Sequence, residues 1–188
     1  MKQAIKLILI LQFIIPAKIY AQSDFKKGFV ITLSNEKLEG SIKESLKSKG
    51  TIVFLSVDGK KSTFSVATVK NFSIDSTNYA AFSNDFYKEI TGGVNAILYK
   101  KETDNSNIPI YNGPEMVGYT KTMEGKKGDY YVWLSTEKKL SLVTEKIFES
   151  FFSPLFINDN ITQTAIKNKT LGYAQIIKLI EKYNAPAL

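Results

Sequence analysis

The apolar residues of this chain change their spacing at Val143, and this change divides the fold into two parts. Between residues 28 and 143 apolar and polar residues mostly alternate, which places every second side chain on the same face of a strand. After Val143 apolar residues recur every three or four positions, the spacing of amphipathic helices. The sequence therefore predicts an α+β fold: an antiparallel, strongly curved sheet or partial barrel over residues 28–143, with C-terminal helices over residues 144–184 packed on it.

Turn residues and helix caps place the individual elements of this fold. Asp58-Gly59 is the strongest turn signal in the chain, because glycine accepts the positive φ that tight hairpins need. Thr144 can cap a Phe-rich helix, Asp159 or Asn160 a second helix, and residues 171–183 form a third. The predicted strands cover residues 28–34, 38–43, 51–57, 61–66, 69–74, 79–90, 94–100, 116–122, 129–135 and 140–143.

The first 21 residues have the pattern of a secretory signal peptide. Lys2 and Lys6 precede the apolar run 7–15, and Ala21 supplies a small residue before the expected cleavage at Gln22. The run is shorter than the roughly 20 residues of a membrane-spanning helix. We therefore expect an exported protein in the periplasm, cell envelope or extracellular space, with residues 22–188 as a single domain and no transmembrane anchor after the leader is cleaved.

Missing residue types exclude several classes of function. The chain has no Cys and no His, so Cys-His and Ser-His-Asp catalysis and the usual zinc, copper and haem sites lack their side chains. It has no Arg, and three of its lysines belong to the leader, so the formal charge of +7 overstates how basic the exported part is. We expect no nucleic-acid partner, no metal and no cofactor, and no residue is assigned a catalytic role.

Tyr131 and Trp133 are the candidate binding residues. They share one face of the strand at 129–135, opposite Tyr130 and Val132. An exposed pair of rings would form a flat stacking platform for a sugar or a protein partner. The alternative is that both rings belong to the core beneath a helix.

The chain as a whole resembles a family of small, uncharacterised exported proteins of Bacteroidetes-type bacteria. The resemblance lies in the leader ending Tyr20-Ala21-Gln22, in the hairpin GFVITLSNEKLEGSI, in ITGGVNAILY at 90–99, in YYVWLS and in the closing LIEKYN at 179–184. It implies kinship only, since the family has no assigned activity and supplies no functional residues.

These observations favour a non-catalytic binding or interaction module whose partner is an envelope protein or a glycan. One alternative is a carrier that holds a lipid or glycan in the mouth of the β-structure. A second is a hydrolase with two carboxylates converging in one cleft.

Overall fold

The structure is a computed structural model that describes residues 24–46, 50–104, 109–119 and 123–186. The predicted leader lies outside these residues. The described strands are β1 (Lys26–Thr32), β2 (Lys37–Ser45), β3 (Thr51–Ser56), β4 (Lys61–Ser65), β5 (Val69–Ile74), β6 (Thr77–Phe82), β7 (Asp85–Gly92), β8 (Ala96–Lys101), β9 (Pro109–Asn112), β10 (Glu115–Tyr119), β11 (Tyr130–Leu134) and β12 (Lys139–Val143). The helices are α1 (Phe148–Leu155), α2 (Asn160–Lys167) and α3 (Ile176–Asn184).

Ten of these strands form one open sheet in the order β12-β11-β8-β7-β6-β5-β1-β2-β3-β4. Every neighbouring pair is antiparallel. Strands β9 and β10 pair with each other as a separate hairpin. The predicted antiparallel sheet followed by packed C-terminal helices is therefore confirmed.

The register between strands defines two faces of the sheet. Val132 lies opposite Leu98, and both pack against the helices; we call this the inner face. Tyr131 lies opposite Tyr99 on the other side, which we call the outer face. Because side chains alternate along each strand, this one register assigns every neighbouring residue to a face.

The three helices cover the inner face of the C-terminal strands. Their apolar stripes bury against the sheet in a cluster that we call the helix core. Leu179 and Ile180 of α3 are fully buried there, whereas Ile177, which the sequence places in the same stripe, remains partly exposed. The sheet contributes Ala96, Leu98, Val132, Leu134 and Val143, and the helical region contributes Phe148, Phe152, Phe156, Ile166, Ile176, Leu179 and Ile180.

The inner face of the N-terminal strands is buried without residues from these helices. Val30, Ile42 and Phe72 are almost fully buried in this second cluster, the sheet core. No residue of α1, α2 or α3 belongs to it, and the strands pack their own side chains against one another there. The stacked rings of Phe72 and Tyr79, with centroids 4.6 Å apart, lie on neighbouring strands of the sheet core.

One predicted strand is in fact a hairpin. Residues 79–90 were expected as a single strand, but the chain turns between β6 and β7 at Ser83 and Asn84. Both residues have positive φ, 42° and 68°, as a two-residue type I′ hairpin requires. The apolar residues on either side of this short turn hide it from the spacing pattern.

Asn184 fastens the end of α3 to the sheet. Its Oδ1 accepts hydrogen bonds from the backbone N–H groups of Asn95 and Ala96, each at 2.9 Å, and its Nδ2 donates to the carbonyl of Ala96 at 2.8 Å. The side-chain amide thus makes with the Ala96 backbone the pair of hydrogen bonds that a residue of a neighbouring strand would make. Ala96 is buried, so water has little access to the two bonds that its backbone makes, whereas Asn95 is exposed.

Replacing Asn184 should therefore loosen α3. We expect Asn184→Ala to lower the free energy of unfolding by about 1–3 kcal/mol, because buried backbone groups lose their partners. Asn168→Ala is the matched control, since Asn168 is exposed at the end of α2. Urea denaturation of both variants tests this, and equal stabilities would contradict it.

Asp159 connects the start of α2 to α3. It caps α2 by accepting the Thr162 N–H at 3.0 Å, and it pairs with Lys182 of α3 at 2.8 Å. This confirms Asp159, and not Asn160, as the capping residue. The bonds from Lys182 and then from Thr162 hold the pKa of Asp159 well below its ordinary value.

This lowered pKa predicts a pH-dependent part of the stability. A carboxyl with a depressed folded-state pKa stabilises the fold above its unfolded pKa of about 3.9, and that contribution is lost as the pH falls below it. Asp159→Asn preserves a good cap but removes the charge. Between about pH 5 and about pH 3 the variant should lose less stability than the wild type. Glu137→Gln, at an exposed turn, should retain the wild-type slope in the same denaturation series.

Candidate functional site

The two predicted binding residues lie on β11 and project from the outer face. The helices pack on the opposite face, so neither ring lies beneath a helix. Tyr131 is fully buried, and Trp133 is partly exposed. The structure thus separates the two members of the proposed platform, and only the Trp133 ring reaches the surface.

Tyr131 is covered by the segment at 123–129. Its hydroxyl donates to the carbonyl of Glu124, and its ring meets Tyr87 edge-on at 5.0 Å. Burial, reinforced by the charges of Asp129 and Asp85, raises the pKa of Tyr131 to about 12. Tyr131 therefore remains a neutral donor at physiological pH, and its contacts are those of a core residue.

Trp133 belongs to a row of aromatic rings along the outer face. It stacks on Phe82 with centroids 5.7 Å apart and an interplanar angle of 24°. Phe82 in turn meets Tyr99 edge-on at 5.7 Å. The three residues lie on β11, β6 and β8, so the register of the sheet brings them together from distant parts of the sequence. We call them the aromatic row.

Beside the aromatic row lies a groove made of two adjoining hollows of about 250 and about 390 Å³. The two hollows share the lining residues Asn71, Ala80 and Tyr99. Because the side chain of Ala80 is small, it leaves space at the bottom of the groove. Neighbouring strands carry larger outer-face side chains, which form the walls. The walls and ends include Phe29, Ile31, Asn78 and Glu89 at the first hollow, and Leu33, Lys70 and Phe82 at the second.

Polar groups are spaced along this groove. The Asn78 amide donates to Glu89 at 3.3 Å, which fixes both side chains at one wall. Burial and the nearby Glu89 charge raise the pKa of Tyr99 to about 12, so its hydroxyl stays protonated. Lys70 donates to the Asn35 side chain at 2.5 Å at the other end. The groove therefore offers amide, carboxylate and hydroxyl groups next to aromatic rings.

A fully buried ion pair lies near Tyr131 on the outer face and was not anticipated from the sequence. The Lys101 ammonium is 3.1 Å from Oδ2 of Asp85, and both side chains are completely buried. Lys101 also donates to the carbonyls of Gly125 at 3.0 Å and Met123 at 3.3 Å. A charged residue at a strand end ordinarily faces solvent, so the sequence gives no signal for this pair.

Thr103 holds the carboxylate of this pair from the other side. Its hydroxyl donates to Oδ1 of Asp85 at 3.0 Å and accepts the Phe86 N–H at 2.8 Å. Asp104 places a second carboxylate 4.0 Å from the Lys101 ammonium. The pair therefore lies in a network that joins β7, the end of β8 and the segment that covers Tyr131.

A third hollow, of about 520 Å³, opens on the inner face beside the sheet core. Ile42, Ile74 and Tyr79 are among its lining residues. Charged side chains surround it, and two exposed ion pairs there are Lys26–Asp75 at 3.4 Å and Lys43–Asp24 at 2.6 Å. This hollow has the position expected for a ligand in the mouth of the β-structure, but its rim is strongly polar.

Comparison with known proteins adds no relative: no family model, no curated protein and no solved structure matches the chain. Within the described residues, no group of three or more Asp and Glu side chains is placed to bind a metal ion. The described helices are also too short or too polar to cross a membrane. The outer-face groove and the buried ion pair are therefore interpreted from their own chemistry.

Gly125 controls how the covering segment meets Tyr131. It has a φ of +93°, and a Cβ atom there would lie 2.4 Å from the Tyr131 hydroxyl. Gly128, with a φ of +95°, has nothing within 4 Å of the same position. The two glycines share the same backbone requirement and differ in this contact.

Gly125→Ala should therefore be more harmful than Gly128→Ala. Both variants carry the backbone strain of about 1–2 kcal/mol. Gly125→Ala adds overpacking against Tyr131, for which we expect a further loss of about 1–3 kcal/mol in the free energy of unfolding. Chemical denaturation monitored by near-UV circular dichroism measures both variants. If the two are equally stable, Tyr131 is not covered as described.

Proposed function

We propose that this protein is an exported, non-catalytic binding module that holds a glycan in its outer-face groove. The aromatic row beside the groove is the observation that carries the proposal. Phe82 lines the second hollow and stacks on the partly exposed Trp133, the largely buried Tyr99 lies between the two hollows, and the amides of Asn71 and Asn78 line them. This combination favours a ligand that is apolar on one face and rich in hydroxyl groups at its edges.

Sugars have this chemistry. The C–H groups of a pyranose ring pack on an aromatic ring, while its hydroxyls need donors and acceptors in fixed positions. The Asn78 amide and Glu89 carboxylate are already bonded to each other, so little side-chain freedom is lost when a hydroxyl joins them. An apolar chain, in contrast, would leave the amides and the carboxylate without partners, at a cost in affinity.

The single carboxylate in the described lining of the groove favours binding over hydrolysis. Among the described residues that line the two hollows, Glu89 is the only acid. Glycoside hydrolysis by the usual mechanism needs a pair of carboxyl groups flanking the bond. A groove with one acid can orient a hydroxyl but lacks that pair.

Export supports a glycan ligand, because the bacterial envelope is rich in polysaccharide. The proposed leader, with Lys2 and Lys6 before the apolar run 7–15, is the signal that would direct the protein to export. The carrier alternative would place a ligand in the inner-face hollow. The charged rim of that hollow disfavours a lipid tail, so we place the ligand on the outer face.

The position of the only tryptophan allows a direct test. Because Trp133 is the single Trp of the chain and stacks on Phe82, its fluorescence should report a ligand in the groove. We expect a saturable change on titration with oligosaccharides from peptidoglycan and envelope polysaccharides. Phe82→Ala and Glu89→Gln should each weaken binding at least tenfold, about 1.4 kcal/mol.

Ile161→Ala is the matched control, since Ile161 is highly exposed on α2, away from the outer face. It should bind as the wild type does, and circular dichroism establishes that all three variants are folded. Calorimetry on the same panel repeats the comparison without a fluorescent reporter. Failure of the wild type to bind any oligosaccharide, or equal affinities for all variants, would exclude the proposal.

A further inference from the structure

Lys101 and Asp85 form an arrangement that suits covalent chemistry as well as ion pairing. We propose that the two side chains condense to an amide, which cross-links β7 to the end of β8 within the same chain. The cross-link does not depend on the glycan-binding role, because neither member of the pair belongs to the lining of the groove.

The first requirement is a fixed encounter between the amine and the carboxyl group. Nζ of Lys101 lies 3.1 Å from Oδ2 of Asp85. Thr103 fixes the other carboxyl oxygen at 3.0 Å, and the Gly125 carbonyl fixes the amine at 3.0 Å. Two reacting groups held in this way behave as if their concentrations were far above any attainable in solution.

The second requirement is a dry environment. Both side chains are completely buried, next to the rings of Tyr87 and Tyr131. In the reaction a proton first passes from the ammonium to the carboxylate to give the amine and the acid, and a site that excludes water favours the amide product over its hydrolysis. The neutral amine is the nucleophile, and the neutral acid is the form whose hydroxyl can leave as water.

The third requirement is a group that moves a proton during the reaction. Asp104 has a carboxylate oxygen 4.0 Å from Nζ of Lys101, and it retains contact with solvent. Nζ attacks Cγ of Asp85 to form the C–N bond. Asp104 takes a proton from the nitrogen and delivers it to the departing hydroxyl, so the C–O bond breaks and water leaves. Overall, one ammonium and one carboxylate become one amide and one water, without an oxidant or reductant.

The product suits the surroundings of the pair. The amide has no charge and retains one N–H, for which the Gly125 and Met123 carbonyls are the available acceptors. Thr103 can continue to donate to the remaining carbonyl oxygen. The chain has no cysteine, so an amide would provide the covalent link that a disulfide provides elsewhere.

Intact mass spectrometry of the purified wild-type full-length product tests the proposal. The mass is compared with that calculated from the N-terminus found by sequencing, and we expect a deficit of one water molecule. A tryptic digest should contain a branched peptide that joins the segment with Asp85 to the segment that begins at Lys101. A wild-type protein of full calculated mass, with ordinary cleavage after Lys101, would overturn the proposal.

The exposed pair Lys43–Asp24 is an internal control in the same digest. Its atoms are closer, at 2.6 Å, but both side chains are open to solvent, so these residues should remain unlinked. Lys101→Arg should have its full calculated mass. Asp104→Asn should lower the cross-linked fraction at early times after synthesis. An unchanged fraction in that variant would remove Asp104 from the reaction.

Discussion

The fold depends on how the two faces of one open ten-stranded sheet are covered. Three short described helices pack on this sheet. The helices are long enough to cover only the inner face of the C-terminal strands. The N-terminal strands bury Val30, Ile42 and Phe72 against one another in the sheet core. Burying apolar surface stabilises by about 25 cal/mol per Å², so each uncovered strand would cost several kcal/mol. Packing of strand side chains against one another therefore does for the N-terminal strands what the described helices do for the C-terminal ones.

None of the described helices packs on the outer face, and the segment at 123–129 covers it at one place. That segment is attached through its backbone carbonyls, which accept bonds from Lys101 and Tyr131. The attachment continues through ring contacts from Tyr131 to Tyr87 and from there to Phe82. Removing one partner of a buried ion pair typically lowers the free energy of unfolding by about 3–5 kcal/mol. The segment at 123–129 and the aromatic row are both connected to these buried residues. An amide at this point would make the attachment permanent.

The sequence predicted those features that depend on local spacing. Alternation around Val132 and the helical stripe around Ile180 identified the two layers and their order, because burial of one face imposes a period on the chain. The hairpin at Ser83-Asn84 was missed because residues 79–90 are rich in apolar and aromatic residues that follow no single period. The ion pair was missed for a different reason: Lys101 and Asp85 meet only through pairing of β7 with β8, and spacing carries no information about it. Alternation predicted that Tyr131 and Trp133 share one face of their strand. It carried no information about the burial of Tyr131, because the residues that cover it belong to a loop.

A polar groove binds a hydroxyl-rich ligand more tightly when its side chains are already held in place before the ligand arrives. Water competes for every hydrogen bond that such a ligand makes, so affinity depends on how little the protein must rearrange. Here Glu89 is held by Asn78, and Trp133 is held by Phe82, before any ligand arrives. Phe82 also meets Tyr87, which rests on the covered Tyr131. The ring contacts thus connect the covered Tyr131, on the outer face, to Phe82 at the groove.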